Sequence, residues 1–228
     1  MGSTVASSDR AVIEAVFWDI DGTLIDSEEL HYEVIADWCR LRGYTLNKQD
    51  NELLLGKSMA EKWQHLAKVH EFNSNLESFC QECADIYCEA LQEGMARSES
   101  IAVFNKIAEL GIPQACVSNG DMQVVEANLA LLGLREMVRF SISGQDVVNG
   151  KPDPEPYLVA AEKLGVSPAR CLVVEDSIVG VSAAVKAGMT AVAWPEAGTS
   201  RTGYEAAQYF LCSREQFPWK LLNYELKS

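Results

Sequence analysis

Positive charge is scarce in this sequence. Its 228 residues include 19 lysines and arginines against 33 aspartates and glutamates, a formal net charge of −14. Nucleic acids and anionic membrane surfaces are held through a basic footprint, so neither is expected as a partner. The same imbalance means that the overall field does not draw an anionic substrate inward. Any phosphate must be captured by a few local groups. Long apolar runs are missing too, since none is long enough to span a bilayer. The opening stretch from Met1 to Asp9 is small and polar, without the apolar segment of a signal peptide, and a cytoplasmic protein is expected. Nor is there a disulfide framework. The seven cysteines are odd in number and irregular in spacing, and read as free thiols. Cys80-x-x-Cys83, with Cys88 beyond it and His65 and His70 upstream, lacks the second cysteine pair of a tetrahedral zinc set. Those three cysteines share one arc of a helix, as small core residues do. Internal repeats and low-complexity segments are absent as well.

What is present centres on Phe17-Trp18-Asp19-Ile20-Asp21-Gly22-Thr23-Leu24-Ile25-Asp26. Ile13 to Trp18 is mostly apolar, the pattern of a strand buried on both faces. Asp26-Ser27-Glu28-Glu29 reads as a helix start, with Asp26 as N-cap and Glu29 as the reciprocal member of a capping box. Asp19 and Asp21 therefore sit at the C-terminal end of a strand, the edge at which open α/β sheets bind ligands. Two carboxylates one residue apart can point into the same small space. Left alone they repel until one takes up a proton; a divalent cation between them removes the conflict. Hard oxygen ligands of this kind suit Mg²⁺, which keeps positions open for water and phosphate. Gly22 lets the backbone bend where a side chain would clash.

Hydrophobic residues make up 48% of the chain, enough at this length to bury the core of one domain with an insertion. From Glu28 to about Ala96 the pattern is helical almost throughout. Leu30, Val34, Ile35 and Trp38 form one apolar face, Met59, Trp63, Leu66 and Ala67 another, and Leu76, Phe79, Cys83, Ile86 and Tyr87 a third. A further short helix is expected over Asn47 to Leu55, closed by Gly56. From Ser98 the grammar alternates between helix and strand. Strands are expected at Gln114–Val117, Phe140–Ser143, Cys171–Val174 and Thr190–Trp194, with an edge strand at Tyr209–Cys212. Helices are expected at Ile101–Leu110, Val124–Leu132, Pro154–Leu164 and Ser177–Ala187. Repeated αβ units with glycine at helix ends imply a parallel sheet with helices on both faces. The expected domains are an α/β core over residues 10–27 and 97–228 and a helical insertion over residues 28–96.

Three more polar groups follow strands in the same way: Ser118-Asn119-Gly120, Lys151-Pro152-Asp153-Pro154 and Glu175-Asp176-Ser177. In a parallel sheet these ends share one edge and can converge. Ser118 can donate its hydroxyl to a phosphate oxygen, beside backbone N–H groups of the following turn. Lys151 supplies a point charge that offsets phosphate and carboxylates. Glu175 and Asp176 can complete a magnesium shell. Taken singly, each has a bland use, as a helix cap, a solvated lysine or an acidic helix start.

Asp19-Ile20-Asp21-Gly22-Thr23, Ser118-Asn119, Lys151-Pro152 and Glu175-Asp176-Ser177 together resemble the four ordered motifs of the haloacid dehalogenase superfamily. The helical insertion resembles the cap of its β-phosphoglucomutase-like branch. The resemblance runs from about Ile13 to about Trp194. It implies a Rossmann-like core with an inserted α-helical cap. It also implies Asp19 as nucleophile, Asp21 as general acid and base, and Mg²⁺ held by Asp19, Glu175, Asp176 and the backbone carbonyl of Asp21. Ser118, Lys151 and Asn119 are then the residues on the transferring phosphoryl group. His31 matches a histidine that relatives use near the cap hinge to contact the general acid. Gly56-Lys57-Ser58 resembles the cap loop that faces the core, which makes Lys57 a candidate for an anionic substrate group.

The expected activity is Mg²⁺-dependent hydrolysis of small phosphorylated metabolites, sugar phosphates or sugar-acid phosphates, through an aspartyl-phosphate. The alternative is a sugar-phosphate mutase. The mutases of this branch carry an arginine after a Gly-x-Ser in the cap, and here Met59 follows Gly56-Lys57-Ser58. A catalytically silent binding protein on the same fold is a third reading, disfavoured because the whole expected residue set is present. The expected partner is a small phosphorylated metabolite. The oligomeric state is left open, and a monomer is compatible with the sequence.

Overall fold

The structure, a computed structural model, describes residues 12–54 and 57–224. The opening stretch, Leu55 and Gly56 lie outside the described residues. The first strand, β1 (Ala15–Trp18), is buried throughout. Four helices follow before the sheet resumes: α1 (Glu28–Arg40), α2 (Lys48–Leu54), α3 (Met59–Val69) and α4 (Leu76–Ala90). The alternating part comprises α5 (Ser98–Glu109), β2 (Gln114–Val117), α6 (Met122–Leu131), β3 (Ser141–Ile142), α7 (Glu155–Leu164), β4 (Cys171–Glu175), α8 (Ile178–Lys186), β5 (Thr190–Ala193) and β6 (Tyr209–Phe210). These strands form one six-stranded sheet in the order β3-β2-β1-β4-β5-β6. Every pairing in it is parallel.

The expected strands and helices are all present, with ends displaced by a few residues. Two boundary differences have physical reasons. The outer strands β3 and β6 are only two residues long, and short edge strands leave few unpaired backbone groups exposed. The expected capping box at Asp26 and Glu29 does not form. The N-cap of α1 is Ser27, whose side chain makes no cap hydrogen bond. Its hydroxyl instead donates to Asp21 Oδ1 at 2.8 Å.

Strand alternation divides the core into two layers. Val16 and Trp18 of β1 pack with Val103, Phe104 and Ile107 of α5 and with Val125 and Leu129 of α6. Ala15 and Phe17 face the other way, toward Tyr157 and Ala160 of α7 and Ala183 of α8. A third cluster lies inside the helical block and includes Leu30, Val34, Trp38, Leu66, Phe79 and Tyr87; Val124 of α6 joins it from the alternating part. The two chain segments that enter and leave the block pair with each other. Ile25 and Ala96 form an antiparallel bridge. Asp26 N–H donates to Met95 O at 2.8 Å, and Arg97 N–H donates to Leu24 O at 2.9 Å. The Arg97 guanidinium donates to the carbonyls of Gly22, Trp194 and Pro195, which ties this crossing to the turn after β1.

Trp38 is the pivot of the block. It is fully buried, meets Phe79 edge-on at 4.8 Å and Trp63 edge-on at 6.0 Å, and donates its indole N–H to Glu82 at 2.6 Å. Trp38→Ala is expected to destabilise the protein by about 3–5 kcal/mol, the usual cost of deleting a large buried aromatic. Urea unfolding followed by circular dichroism checks this; an unchanged midpoint would show that the block does not depend on this packing.

Candidate active site

Because the strands are parallel, the segments that leave β1, β2 and β4 emerge at one edge of the sheet. Asp19 follows β1, Ser118 follows β2, Glu175 ends β4 with Asp176 after it, and the loop beyond β3 brings in Lys151. Lys151 is buried, and its ammonium donates to Asp19 Oδ1 at 2.6 Å, Glu175 Oε1 at 2.6 Å and Val117 O at 2.7 Å. All three of its donors are thus used. Asn119 clamps the lysine's backbone from both sides, accepting from Lys151 N–H at 2.8 Å and donating to Lys151 O at 3.0 Å. Glu175 is held further by the Tyr157 hydroxyl at 2.7 Å and the Ser177 hydroxyl at 2.9 Å. Asp176 accepts from the Thr23 hydroxyl at 3.0 Å.

Two glycines make this proximity feasible. Gly22 has φ of 77°, and a β-carbon there would strike the Asp176 carboxylate. In the first turn of α8, a β-carbon on Gly180 would strike the Glu175 carboxylate.

One carboxylate oxygen from each of Asp19, Glu175 and Asp176 falls within 4.8 Å of the others. Three acids share one ammonium. Burial and the charge of Glu175 hold Asp19 well above the usual carboxylate range despite Lys151. Burial and Glu175 likewise push Asp176 up to about 7. Lys151 is raised, because Asp19 and Glu175 outweigh the penalty of its burial. A clustered all-oxygen donor set that retains protons without a cation fits a hard divalent ion.

Asp21 lies in a different environment. Its Oδ1 accepts from the Ser27 hydroxyl at 2.8 Å and pairs with His31 Nε2 at 2.9 Å; Asn128 Nδ2 stands at 3.4 Å from the same oxygen. The Ser118 hydroxyl is 3.4 Å from Oδ2 and itself accepts from Gly120 N–H at 2.9 Å. Burial would raise this carboxyl, but His31, Ser27 and Ser118 outweigh it and bring Asp21 down to about 2.

A cavity of about 310 Å³ lies between the helical block and the sheet edge. His31 lines it next to Asp21; Val34, Met59, Ala84 and Val124 form apolar walls, and Asn119 lines it too. None of the described residues lining it is a lysine or an arginine.

The structure therefore brings together Asp19, Asp21, His31, Ser118, Asn119, Lys151, Glu175 and Asp176. It does not bring Lys57, which is exposed and faces Glu61 at 3.6 Å in the loop before α3. Gly56 beside it lies outside the described residues. Sequence reasoning missed Ser27, Tyr157 and Asn128. Asn128 left a signal, a polar residue on the apolar face of α6 between Val124, Val125 and Leu129. Ser27 and Tyr157 left none, since each also suits the helix it starts or belongs to.

The family model for haloacid dehalogenase-like hydrolases matches residues 13–188. The phosphorylated carbohydrates phosphatase of Thermotoga maritima is 32% identical over 181 residues, covering 78% of this chain and 82% of that one. Hexitol phosphatase A of Escherichia coli is 32% identical over 179 residues, covering 77% of this chain and 80% of that one. Among solved structures, CbbY from Rhodobacter sphaeroides in complex with phosphate superposes with a TM-score of 0.82 at 24% identity, covering 93% of this chain and 100% of that chain. At that identity the likeness is one of fold. No helix among the described residues is long and apolar enough to cross a membrane.

The raised acids set the sign of a pH effect. In an unfolded chain Asp176 titrates near its ordinary value of 3.8, and in the fold near 7. Its contribution to stability is complete below the lower value and is lost as pH rises through the upper one. A divalent cation held among these carboxylates would replace the lost protons. The rise in melting temperature on adding Mg²⁺ to EDTA-treated protein should therefore be larger at pH 8 than at pH 5. Calorimetry at both pH values checks this, and an equal rise at both would argue against ion binding among these carboxylates.

Proposed function

The chain belongs to the haloacid dehalogenase-like hydrolase family, and on that premise we propose that it is an Mg²⁺-dependent phosphatase of small phosphorylated metabolites that works through an aspartyl-phosphate. The observation that carries this reading is the meeting of Asp19, Lys151, Glu175 and Asp176 at one sheet edge, with Asp21 beside them in a separate set of donors. The names of relatives, a carbohydrate phosphatase and a hexitol phosphatase, support sugar phosphates as the class to try first.

Asp19 is the proposed nucleophile. Lys151 occupies its Oδ1, and Oδ2 has no hydrogen-bond partner among the described residues. That oxygen attacks phosphorus while the bond from phosphorus to the alcohol oxygen breaks. Asp21 gives the departing oxygen its proton. It then takes a proton from the water that hydrolyses the aspartyl-phosphate. Asp21 is a carboxylate in its present surroundings, so it must acquire its proton as substrate binds. A phosphate dianion nearby raises its affinity for one, and His31 is the adjacent donor. Ser118 and Lys151 orient the phosphoryl group and offset its charge, and Asn119 acts by clamping the Lys151 loop. Asp19, Glu175, Asp176 and the backbone carbonyl of Asp21 are the proposed ligands of Mg²⁺. When bound, the ion neutralises charge on the transferring phosphoryl group. The helical block, residues 28–96, is proposed as a cap domain on the core of residues 10–27 and 97–228. His31 contacts the leaving group, and Lys57 does so only if the cap closes further.

Asp19→Asn should fold normally by circular dichroism and lose activity by about a thousandfold or more, as expected on removing a nucleophile. Retention of a substantial fraction of phosphate release would exclude the covalent route. EDTA should abolish turnover and Mg²⁺ restore it. Ca²⁺ should substitute poorly, because it takes more ligands at longer bonds.

The cavity lining supports a phosphatase over a mutase. A mutase must anchor a second phosphate while its bisphosphate intermediate turns over, and bidentate arginine suits that task. Here Met59 lines the cavity, and none of the described residues lining it is a lysine or an arginine. The expected outcome is phosphate release from at least one monophosphate of a metabolite panel and no conversion of β-glucose 1-phosphate to glucose 6-phosphate, even with a bisphosphate primer. Rapid primed isomerisation with much slower phosphate release would reverse the assignment.

A further inference from the structure

Asn128 is fully buried on α6. Asparagine is a poor helix former, and a leucine would suit this face better, so neither propensity nor packing accounts for it. Its side chain is used at both ends. Oδ1 accepts from the Tyr87 hydroxyl at 3.0 Å, and Nδ2 faces Asp21 Oδ1 at 3.4 Å. Charge dictates this orientation, because a carboxylate can only accept, and the amide NH₂ must point toward it. A separation of this length is common in resting catalytic hydrogen bonds, which tighten once substrate binds.

Tyr87 comes from α4 in the helical block and is almost wholly buried. Its ring stacks on His31 at 4.7 Å, and its hydroxyl lies beside the Ser27 hydroxyl. Tyr87 thus touches Asn128, His31 and Ser27, three of the groups that surround the Asp21 carboxylate. Two of its partners belong to the entry into the block and the third to the alternating part.

We propose that Tyr87 and Asn128 are positioning residues for Asp21, which register the helical block against α6 and thereby aim the Asp21 carboxylate at the leaving oxygen. This rests on the reading of Asp21 as proton donor given above. Asn128 fixes the carboxylate from the core side. Tyr87 fixes Asn128 and His31 from the block side, so the acid is aligned only when the two parts are docked.

The test uses leaving groups of different need. kcat/KM reports events up to transfer of the phosphoryl group to Asp19. An alkyl alcohol needs a proton to depart at that step, whereas p-nitrophenolate does not. Tyr87→Phe and Asn128→Leu would be assayed on the best alkyl phosphate of the metabolite panel and on p-nitrophenyl phosphate. The expected result is a fall of about ten- to a hundredfold in kcat/KM for the alkyl ester, part of what a general acid contributes. The change for the aryl ester should be less than about threefold. Equal losses on both esters, or no loss on either, overturn the proposal. If Asn128→Leu folds poorly, Tyr87→Phe, which removes one oxygen atom, carries the test alone. Asp21→Asn in the same assay separates the two levels. Selective loss in Asp21→Asn without it in the other two variants overturns this proposal and leaves the phosphatase reading standing. No selectivity in Asp21→Asn overturns the role of Asp21 and this proposal with it.

Discussion

The Lys151 ammonium is buried among groups that would not otherwise coexist. It bonds Asp19 and Glu175, each at 2.6 Å, and Asp176 is close by. A buried carboxylate without a partner is costly, and three of them at this distance would repel each other until protonated. One cation lowers that cost without cancelling it, and Asp19 and Asp176 are held above the usual carboxylate range. This residual imbalance is what a divalent ion would relieve, and the cluster has the oxygen donors to hold one. The surrounding architecture serves the placement of this one side chain: Asn119 grips its backbone, the Val117 carbonyl takes its third donor, and Tyr157 and Ser177 hold the far side of Glu175.

Asp19 and Asp21 are two residues apart and meet opposite surroundings. Asp19 faces other acids and is raised; Asp21 faces hydroxyls, an imidazole and an amide and is lowered to about 2. Separation of two like groups by environment is how a site assigns them different tasks. The turn at Gly22 produces the separation, sending one carboxylate toward β4 and the other toward α1. The helical block contributes to the second environment only. Its attachment through the paired segments at Ile25 and Ala96, braced by Arg97, keeps its approach close to the turn that carries both aspartates.

The fold was legible because its signals are local. Apolar runs of four or five residues, each followed by a polar turn, mark parallel strands, and a helical stretch of about 70 residues without a strand marks the insertion. The carboxylate cluster was legible for the same reason, since Asp19, Ser118, Glu175 and Asp176 directly follow or end strands of one parallel sheet. Where local grammar competed with a distant partner, it failed. The capping box expected at Asp26 and Glu29 gives way to an N-cap at Ser27, whose hydroxyl accepts no cap hydrogen bond and donates to Asp21, six residues earlier.

The sequence by itself determined that the candidate residues share one edge of the sheet and which residue types stand there, because strands that alternate with helices make a parallel sheet; the order of those strands came from the tertiary structure. The tertiary structure alone decided the partners of each polar atom. Tyr157 meets Glu175, Asn128 meets Tyr87 and Asp21, and Lys57 turns to Glu61 and stays at the surface. Those outcomes depend on how helices far apart in sequence rotate against one another. A single side chain's orientation on a packed helix is fixed by three-dimensional packing and by the need to satisfy buried donors and acceptors, and neither leaves a period in the sequence.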